Sequence, residues 1–280
     1  MKVVTTAAEL RQEVALQKAA GRVIGFVPTM GALHSGHVSL VDKSLNDNCF
    51  TVSSIFVNPT QFNDKNDLKN YPRMPEKDIA LLEERGVNLV FTPSVAEIYP
   101  EEDSRIFDFG SIDKVMEGAK RPGHFNGVAQ VVSKLFDIVQ PDKAYFGEKD
   151  FQQIAIIKDM VKQLKLKVEI IPCPIVRDSD GLALSSRNML LNPAQRNSAP
   201  LIYRALSNAQ KQERSTSISA LNQMVVHEIN ADNELDVEYF DIVDADTLQS
   251  VSSWDESSNI YGCIAVKVGA IRLIDNIRLK

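Results

Sequence analysis

The chain has 280 residues, of which 44% are hydrophobic and 24% charged, with a formal net charge of -6. This is a globular composition at about twice the usual single-domain length, so one large or two smaller domains are expected, and a disordered, collagenous or disulfide-knotted chain is excluded. No apolar run approaches the roughly 20 residues of a membrane helix, residues 1–10 lack the basic-then-apolar pattern of a signal peptide, and the acidic balance argues against bulk nucleic-acid binding. Cys49, Cys173 and Cys263 are far apart in the sequence, which fits a reducing cytoplasm better than a disulfide framework.

Residues 23–27, Val-Ile-Gly-Phe-Val, predict a buried strand ending at Pro28. A turn with Gly31 and Gly36 follows, and then Val38, Leu40, Val41, Ser44 and Leu45 repeat at helical spacing. The β-branched run 50–57 predicts a second strand. Residues 75–85 predict a helix with Pro75 in its first turn and Gly86 as its stop. A third strand is expected over 87–91, a helix over 124–139, a short strand over 144–146, a helix over 151–164 and a last strand over 168–171. Such alternation predicts a parallel sheet covered on both faces, with ligands beyond the carboxyl ends of its strands. Pro172-Cys-Pro174 reads as a hinge. Helices over 193–212 and 217–230, then strands over 237–243, 260–268 and 270–274, predict a small α+β domain. The expected division is 1–175 and 176–280. Between Glu228 and Glu256 lie ten acids and no Lys or Arg, a pattern expected of a solvated face.

Five strings carry chemistry. In Pro28-Thr-Met-Gly-Ala-Leu-His34-Ser-Gly-His37, a strand gives way to a helix start, whose free N–H groups and positive dipole end suit phosphate. Gly36 allows close backbone approach, and His34 and His37 can face one ligand if the helix begins near Ser35. Asn58 and Gln61, in Phe56-Val-Asn-Pro-Thr-Gln-Phe62, supply neutral amides for hydroxyls and a carbonyl. Arg121, in Arg121-Pro-Gly-His-Phe-Asn-Gly127, suits a carboxylate or phosphate. In Gly147-Glu148-Lys149-Asp150-Phe-Gln-Gln153, Gly147 permits close approach, Lys149 is a phosphate-sized charge and Asp150 can accept from ribose hydroxyls. Ser185, Ser186 and Arg187, in Asp180-Gly-Leu-Ala-Leu-Ser-Ser-Arg-Asn188, can wrap a polyphosphate. Neither Gly-x4-Gly-Lys-Ser/Thr nor Gly-x-Gly-x-x-Gly occurs, which speaks against a P-loop kinase or a nicotinamide Rossmann enzyme.

These five strings, in this order, resemble the pantoate–β-alanine ligase family, and Asp244-Ala-Asp-Thr-Leu248 and Arg272-Leu-Ile-Asp-Asn276 extend the resemblance. It implies a Rossmann-like N-terminal domain that dimerises and a smaller C-terminal lid. It also implies a cytoplasmic enzyme that uses ATP with Mg2+ to join pantoate to β-alanine through an enzyme-bound pantoyl adenylate, releasing AMP and pyrophosphate. By the same resemblance His37 is the acid-type residue and, with His34, Lys149 and Arg187, acts on phosphate charge. Met30, Gly31, Gly36, Gly147, Glu148, Asp150, Val176, Leu184, Ser185 and Ser186 are then expected around ATP, and Gln61, Gln153, Asn58 and Arg121 around pantoate. His-x-Gly-His alone equally fits a nucleotidyltransferase that moves AMP to a phosphate acceptor. An RNA-binding module is disfavoured by the acidic balance.

Overall fold

In the computed structural model, which describes residues 1–47 and 49–280, the chain divides into two units, each with its own sheet. Along the chain run β1 (Lys2–Val4), α1 (Ala7–Ala19), β2 (Ile24–Thr29), α2 (Ser35–Asn46), β3 (Phe50–Ile55), α3 (Lys65–Asn70), α4 (Pro75–Glu84), β4 (Leu89–Phe91), α5 (Val95–Ile98), α6 (Met116–Lys120), α7 (His124–Val139), β5 (Lys143–Gly147), α8 (Phe151–Gln163) and β6 (Glu169–Cys173). Then come α9 (Pro193–Ser198), α10 (Leu201–Gln210), α11 (Ile218–Asn230), β7 (Leu235–Asp244), β8 (Ile260–Val268) and β9 (Ile271–Arg278). Short 3-10 turns cover Pro59–Gln61, Glu148–Asp150 and Ser186–Leu190.

The first unit comprises Met1–Phe109, Arg121–Glu148 and Gln153–Pro174. Its six-stranded sheet has the order β1-β4-β3-β2-β5-β6, and every pairing is parallel. The chain therefore winds outward in two directions from the β2–β5 pair, a switch point of the kind at which doubly wound sheets take ligands. β2 does not stop at Pro28 but continues to Thr29. Its ladder to β5 covers only Gly25 and Phe26, so the missing N–H of Pro28 lies past that ladder. α7 is buried along almost its whole length, from His124 and Phe125 to Ile138 and Val139, because its polar residues Asn126, Gln130, Ser133, Lys134 and Asp137 fall on one stripe and leave the rest of its surface apolar.

Two elements at the N-terminus escape the periodicity argument. β1 is three residues long, and α1 buries only Leu10 and Val14. What starts α1 is a capping box, in which Glu9 N–H donates to Thr6 Oγ1 and Thr6 N–H to the Glu9 carboxylate.

The second unit comprises Gly110–Lys120, Lys149–Gln152 and Ile175–Lys280. Its antiparallel sheet β7-β8-β9 packs α10 and α11 over a core that includes Ile202, Leu206, Leu221, Val225, Ile264 and Val266. The single helix expected over 193–212 is two helices, α9 and α10, separated at Pro200, which cannot continue the hydrogen-bond ladder. The acidic stretch is not a uniformly solvated face. Glu238 of β7 pairs with Arg272 at 2.8 Å, and burial pushes the Asp241 carboxyl up from its ordinary value. Cys49, Cys173 and Cys263 are all buried free thiols. Among the described residues no helix is long and apolar enough to cross a membrane.

Candidate active site

Three of the five strings begin at the carboxyl ends of β2, β3 and β5 on the first unit, and the one after β5 passes into the second unit over Lys149–Gln152. The turn after β2 reverses direction through two left-handed residues, Gly31 (φ 80°) and Ala32 (φ 49°). Asp78, 3% exposed on α4, holds this turn: its Oδ2 accepts from Ala32 N–H and its Oδ1 from Leu33 N–H, both at 2.8 Å. A Cβ on Gly31 would stand 2.9 Å from that carboxylate. Thr29 Oγ1 donates to Ser54 O at 2.7 Å and accepts from Gly31 N–H, so the strand end and the turn are fixed together.

His34 is the N-cap of α2, as the sequence spacing requires, and its Nδ1 accepts from Gly36 N–H at 3.1 Å. His37 Nδ1 accepts from His34 N–H at 3.3 Å. The two rings lie 4.1 Å apart between centroids. With each Nδ1 an acceptor, the neutral tautomer of both imidazoles carries its proton on Nε2. The pair is thus a set of two N–H donors at a helix N-terminus, suited to anionic oxygen.

Asn58 is 1% exposed and works inside the protein. Its Nδ2 donates to Gln61 Oε1 at 3.1 Å and to Gly127 O at 3.2 Å, while its Oδ1 accepts from Tyr99 OH at 2.9 Å. Gln61 Nε2 donates to Met30 Sδ at 3.3 Å. The Gln61 amide is therefore oriented from both ends, which places Met30, Asn58 and Gln61 in one cluster. The Arg121–Gly127 string backs this cluster. His124 Nδ1 bonds Gln61 O at 2.7 Å, and an added Cβ on Gly127 would strike the Thr60 carbonyl. Arg121 meets His124 Nε2 at 3.1 Å. At the end of β5, no atom of the described residues other than Gly147 and its two chain neighbours lies within 4 Å of where a Gly147 Cβ would stand, so the backbone there is open to close approach. Glu148 and Gln153 follow this point in the sequence and are partly buried.

The remaining residues belong to the second unit. Lys149 Nζ stands 3.9 Å from Asp150 Oδ2, and its side chain is 21% exposed. Val176 and Leu184 face each other across a small hairpin, with Leu184 N–H donating to Val176 O at 3.0 Å and an antiparallel bridge between Arg177 and Ala183. Ser185 caps the next 3-10 turn, its Oγ accepting from Arg187 N–H at 3.2 Å. Ser186 is buried and Arg187 partly exposed. Asp178 and Asp180 are both engaged by Arg196, at 3.0 and 2.6 Å.

Sequence reasoning missed Asp78, Tyr99 and the orienting role of His124. Asp78 lies 45 and 46 positions from the N–H groups it accepts, so no local pattern marks it. His124 did lie inside a chemistry-bearing string.

Comparison with known proteins covers the whole chain. The model of the family described as "Pantoate-beta-alanine ligase" matches residues 2–278. A relative from Bacteroides thetaiotaomicron named "Pantothenate synthetase" is 55% identical over 280 residues, 100% of this chain and 99% of its own. The solved pantothenate synthetase of Thermus thermophilus superposes with a TM-score of 0.92 at 44% identity, covering 100% of this chain and 99% of that one. The pantoate-beta-alanine ligase of Francisella tularensis, solved as a complex with beta-gamma ATP and beta-alanine, gives 0.83 at 36% identity over 100% of this chain and 98% of its own.

Proposed function

The chain belongs to the pantoate–β-alanine ligase family, and from that premise we propose that it joins pantoate to β-alanine with ATP, using the residues placed above. It is an enzyme, and the family correspondence over residues 2–278 carries the reaction. The local geometry supports the assignment of parts.

In the first step a pantoate carboxylate oxygen attacks the α-phosphorus of ATP. The bond to the bridging oxygen breaks, and pyrophosphate leaves with its electron pair. In the second step the free amine of β-alanine attacks the acyl carbon of the pantoyl adenylate, AMP leaves with the acyl C–O pair, and the amine proton passes to solvent. Neither step needs a protein nucleophile; positioning and charge stabilisation suffice. His34 and His37 present Nε2–H groups to phosphate oxygens, an arrangement supported by the spent Nδ1 atoms. Lys149 and Arg187 supply positive charge, and Ser185 and Ser186 supply hydroxyls to the polyphosphate. Met30, Gly31, Gly36, Gly147, Glu148, Asp150, Val176 and Leu184 bound the nucleotide. Gln61 and Gln153 hold pantoate. Asn58 contributes by orienting the Gln61 amide, and Arg121 through its contact with His124.

Magnesium is proposed to arrive on ATP. Among the described residues there is no group of three or more His, Cys, Asp or Glu able to hold a metal. An ion arriving in this way is held largely by phosphates and water. We further propose a homodimer through the first unit, a cytoplasmic location, and a catalytic domain over 1–175 followed by a lid over 176–280. Sedimentation at the chain mass alone removes the dimer, and proteolysis near Pro174 that ATP leaves unchanged removes the lid.

The reaction is tested by omitting each substrate in turn. AMP is expected only when ATP, pantoate and β-alanine are all present, with pyrophosphate formed alongside it. ADP as product, or turnover to free AMP indifferent to β-alanine, sinks the proposal. A nucleotidylated phosphate acceptor in place of free AMP identifies the other transfer class.

A further inference from the structure

The string Arg272-Leu-Ile-Asp-Asn276 has no part in the steps above, yet each of its polar side chains on β9 is bonded to a partner in the second unit. Arg272 makes a two-pronged pair with Glu117, at 2.7 and 2.6 Å, and also reaches Glu238 at 2.8 Å. Asp275, 4% exposed, pairs through both oxygens with Arg177, at 2.5 and 2.9 Å. Asn276, also 4% exposed, donates from Nδ2 to the carbonyl of Lys149 at 3.1 Å. Its own N–H donates to Asp275 Oδ1 at 2.8 Å. One strand thus grips the segment around Glu117, the start of the Val176–Leu184 hairpin, and the turn that carries Lys149.

The far end of that turn is tied as well. Gln152 Nε2 donates to Ile112 O at 2.6 Å and Val115 O at 2.9 Å, and its Oε1 accepts from Glu117 N–H at 2.9 Å. Lys149–Gln152 is therefore clamped at its first residue by Asn276 and at its last by Gln152. A lysine is a point charge on a flexible stem, so the location of its Cα decides which volume its ammonium samples. Misplacement by about 1 Å can cost on the order of 100-fold in rate.

We propose that Asn276 is a positioning residue for adenylation: by holding the Lys149 carbonyl it aims the Lys149 ammonium at the ATP polyphosphate. This rests on the assignment of Lys149 to those phosphates, so the experiment includes that residue. Single-turnover adenylation and the KM values for ATP and pantoate are measured for Asn276→Ala, Lys149→Ala and the double variant, with folding followed by Trp254 fluorescence. N276A is expected to lower adenylation about 10- to 100-fold and raise the KM for ATP, with the KM for pantoate within about twofold of the parent. If Asn276 acts through Lys149, the double variant loses little beyond K149A, because the two effects share one cause. Asn276→Ser, which keeps a donor hydroxyl on the strand, is expected to recover part of the loss and stands in if N276A does not fold. Losses that multiply in the double variant, or a pantoate KM that rises as much as the ATP KM, overturn the role of Asn276. Parental adenylation in the Asn276 variants beside an impaired K149A does the same and leaves the Lys149 assignment standing. Parental adenylation in K149A overturns both.

Discussion

His124 meets a carbonyl with one ring nitrogen and a guanidinium with the other, and those partners settle its tautomer. A carbonyl only accepts, so Nδ1 carries the proton toward Gln61 O. A guanidinium only donates, so Nε2 accepts from Arg121. The neutral imidazole is thus a fixed spacer between Arg121 and the Gln61 turn, its Nε2 holding the guanidinium and its Nδ1–H alone setting the turn that carries Gln61. Asparagine at this position places an amide N–H near Nδ1, whereas glutamine reaches toward Nε2. His124→Asn is therefore expected to keep the KM for pantoate within about threefold, while His124→Gln raises it about 5- to 10-fold, the loss of roughly one hydrogen bond. The KM for ATP should be unchanged in both. Equal behaviour of the two variants in steady-state assays would show that the Nδ1 bond does not set the Gln61 turn.

The turn between β2 and α2 shows how an element depends on residues far along the chain. Asp78 sits on α4, and its carboxylate satisfies two backbone N–H groups in a left-handed turn. Asp78→Ala strands both donors, at about 2–4 kcal/mol in total; Asp78→Asn keeps one acceptor and should lose about half as much. Urea unfolding measures the loss, and a stability within about 0.5 kcal/mol of the parent for D78A, a margin as wide as an ordinary surface substitution, would remove Asp78 as the clamp. That dependence also marks where the sequence stops being readable. His34, Gly36 and His37 could be placed because a strand, a turn and a helix start are local patterns, and α2 begins at Ser35 as their spacing requires. α7 could be bounded because its apolar positions and Gly123 are local too. Asp78, Tyr99, Gln152 and Asn276 act across tens of residues, and although Gln152 and Asn276 lie in strings the sequence singles out, no local pattern names the partners of any of the four. α1 was hidden because it buries so little, although its Thr6–Glu9 capping box was in plain view. The break at Pro200 needed no tertiary information, only closer attention to proline.

The net charge of -6 describes the whole chain, but its response to acid is set by where individual carboxylates sit. In the first unit the Lys43 ammonium holds the Asp47 carboxyl below its ordinary range, and the Arg105 guanidinium does the same for Asp103. In the second unit the Ser257 hydroxyl, with Thr247, depresses Asp244, while burial raises Asp241. A carboxyl depressed in the folded state adds stability that is complete above its unfolded pKa and is lost as pH falls through its folded pKa. A raised carboxyl works in the opposite sense, since protonation relieves the cost of its buried charge. Glu9 and Glu13 are also depressed in the first unit, and in the second Asp180 is depressed and Asp275 raised by burial, so the first unit carries four depressed groups and the second two depressed and two raised groups that partly offset. Trp254 is the sole tryptophan and lies in the second unit, its Nε1 donating to Thr216 O at 2.8 Å. Its fluorescence reports that unit, whereas far-UV circular dichroism reports both. Urea midpoints from the two probes are expected to be level from about pH 7 to about pH 5 and to fall from about pH 4 downward, with the dichroism midpoint falling further. A fluorescence midpoint that falls first and furthest would mean that Asp241 and Asp275 do not offset Asp180 and Asp244, and midpoints flat to about pH 3 would mean that none of these carboxylates couples to folding.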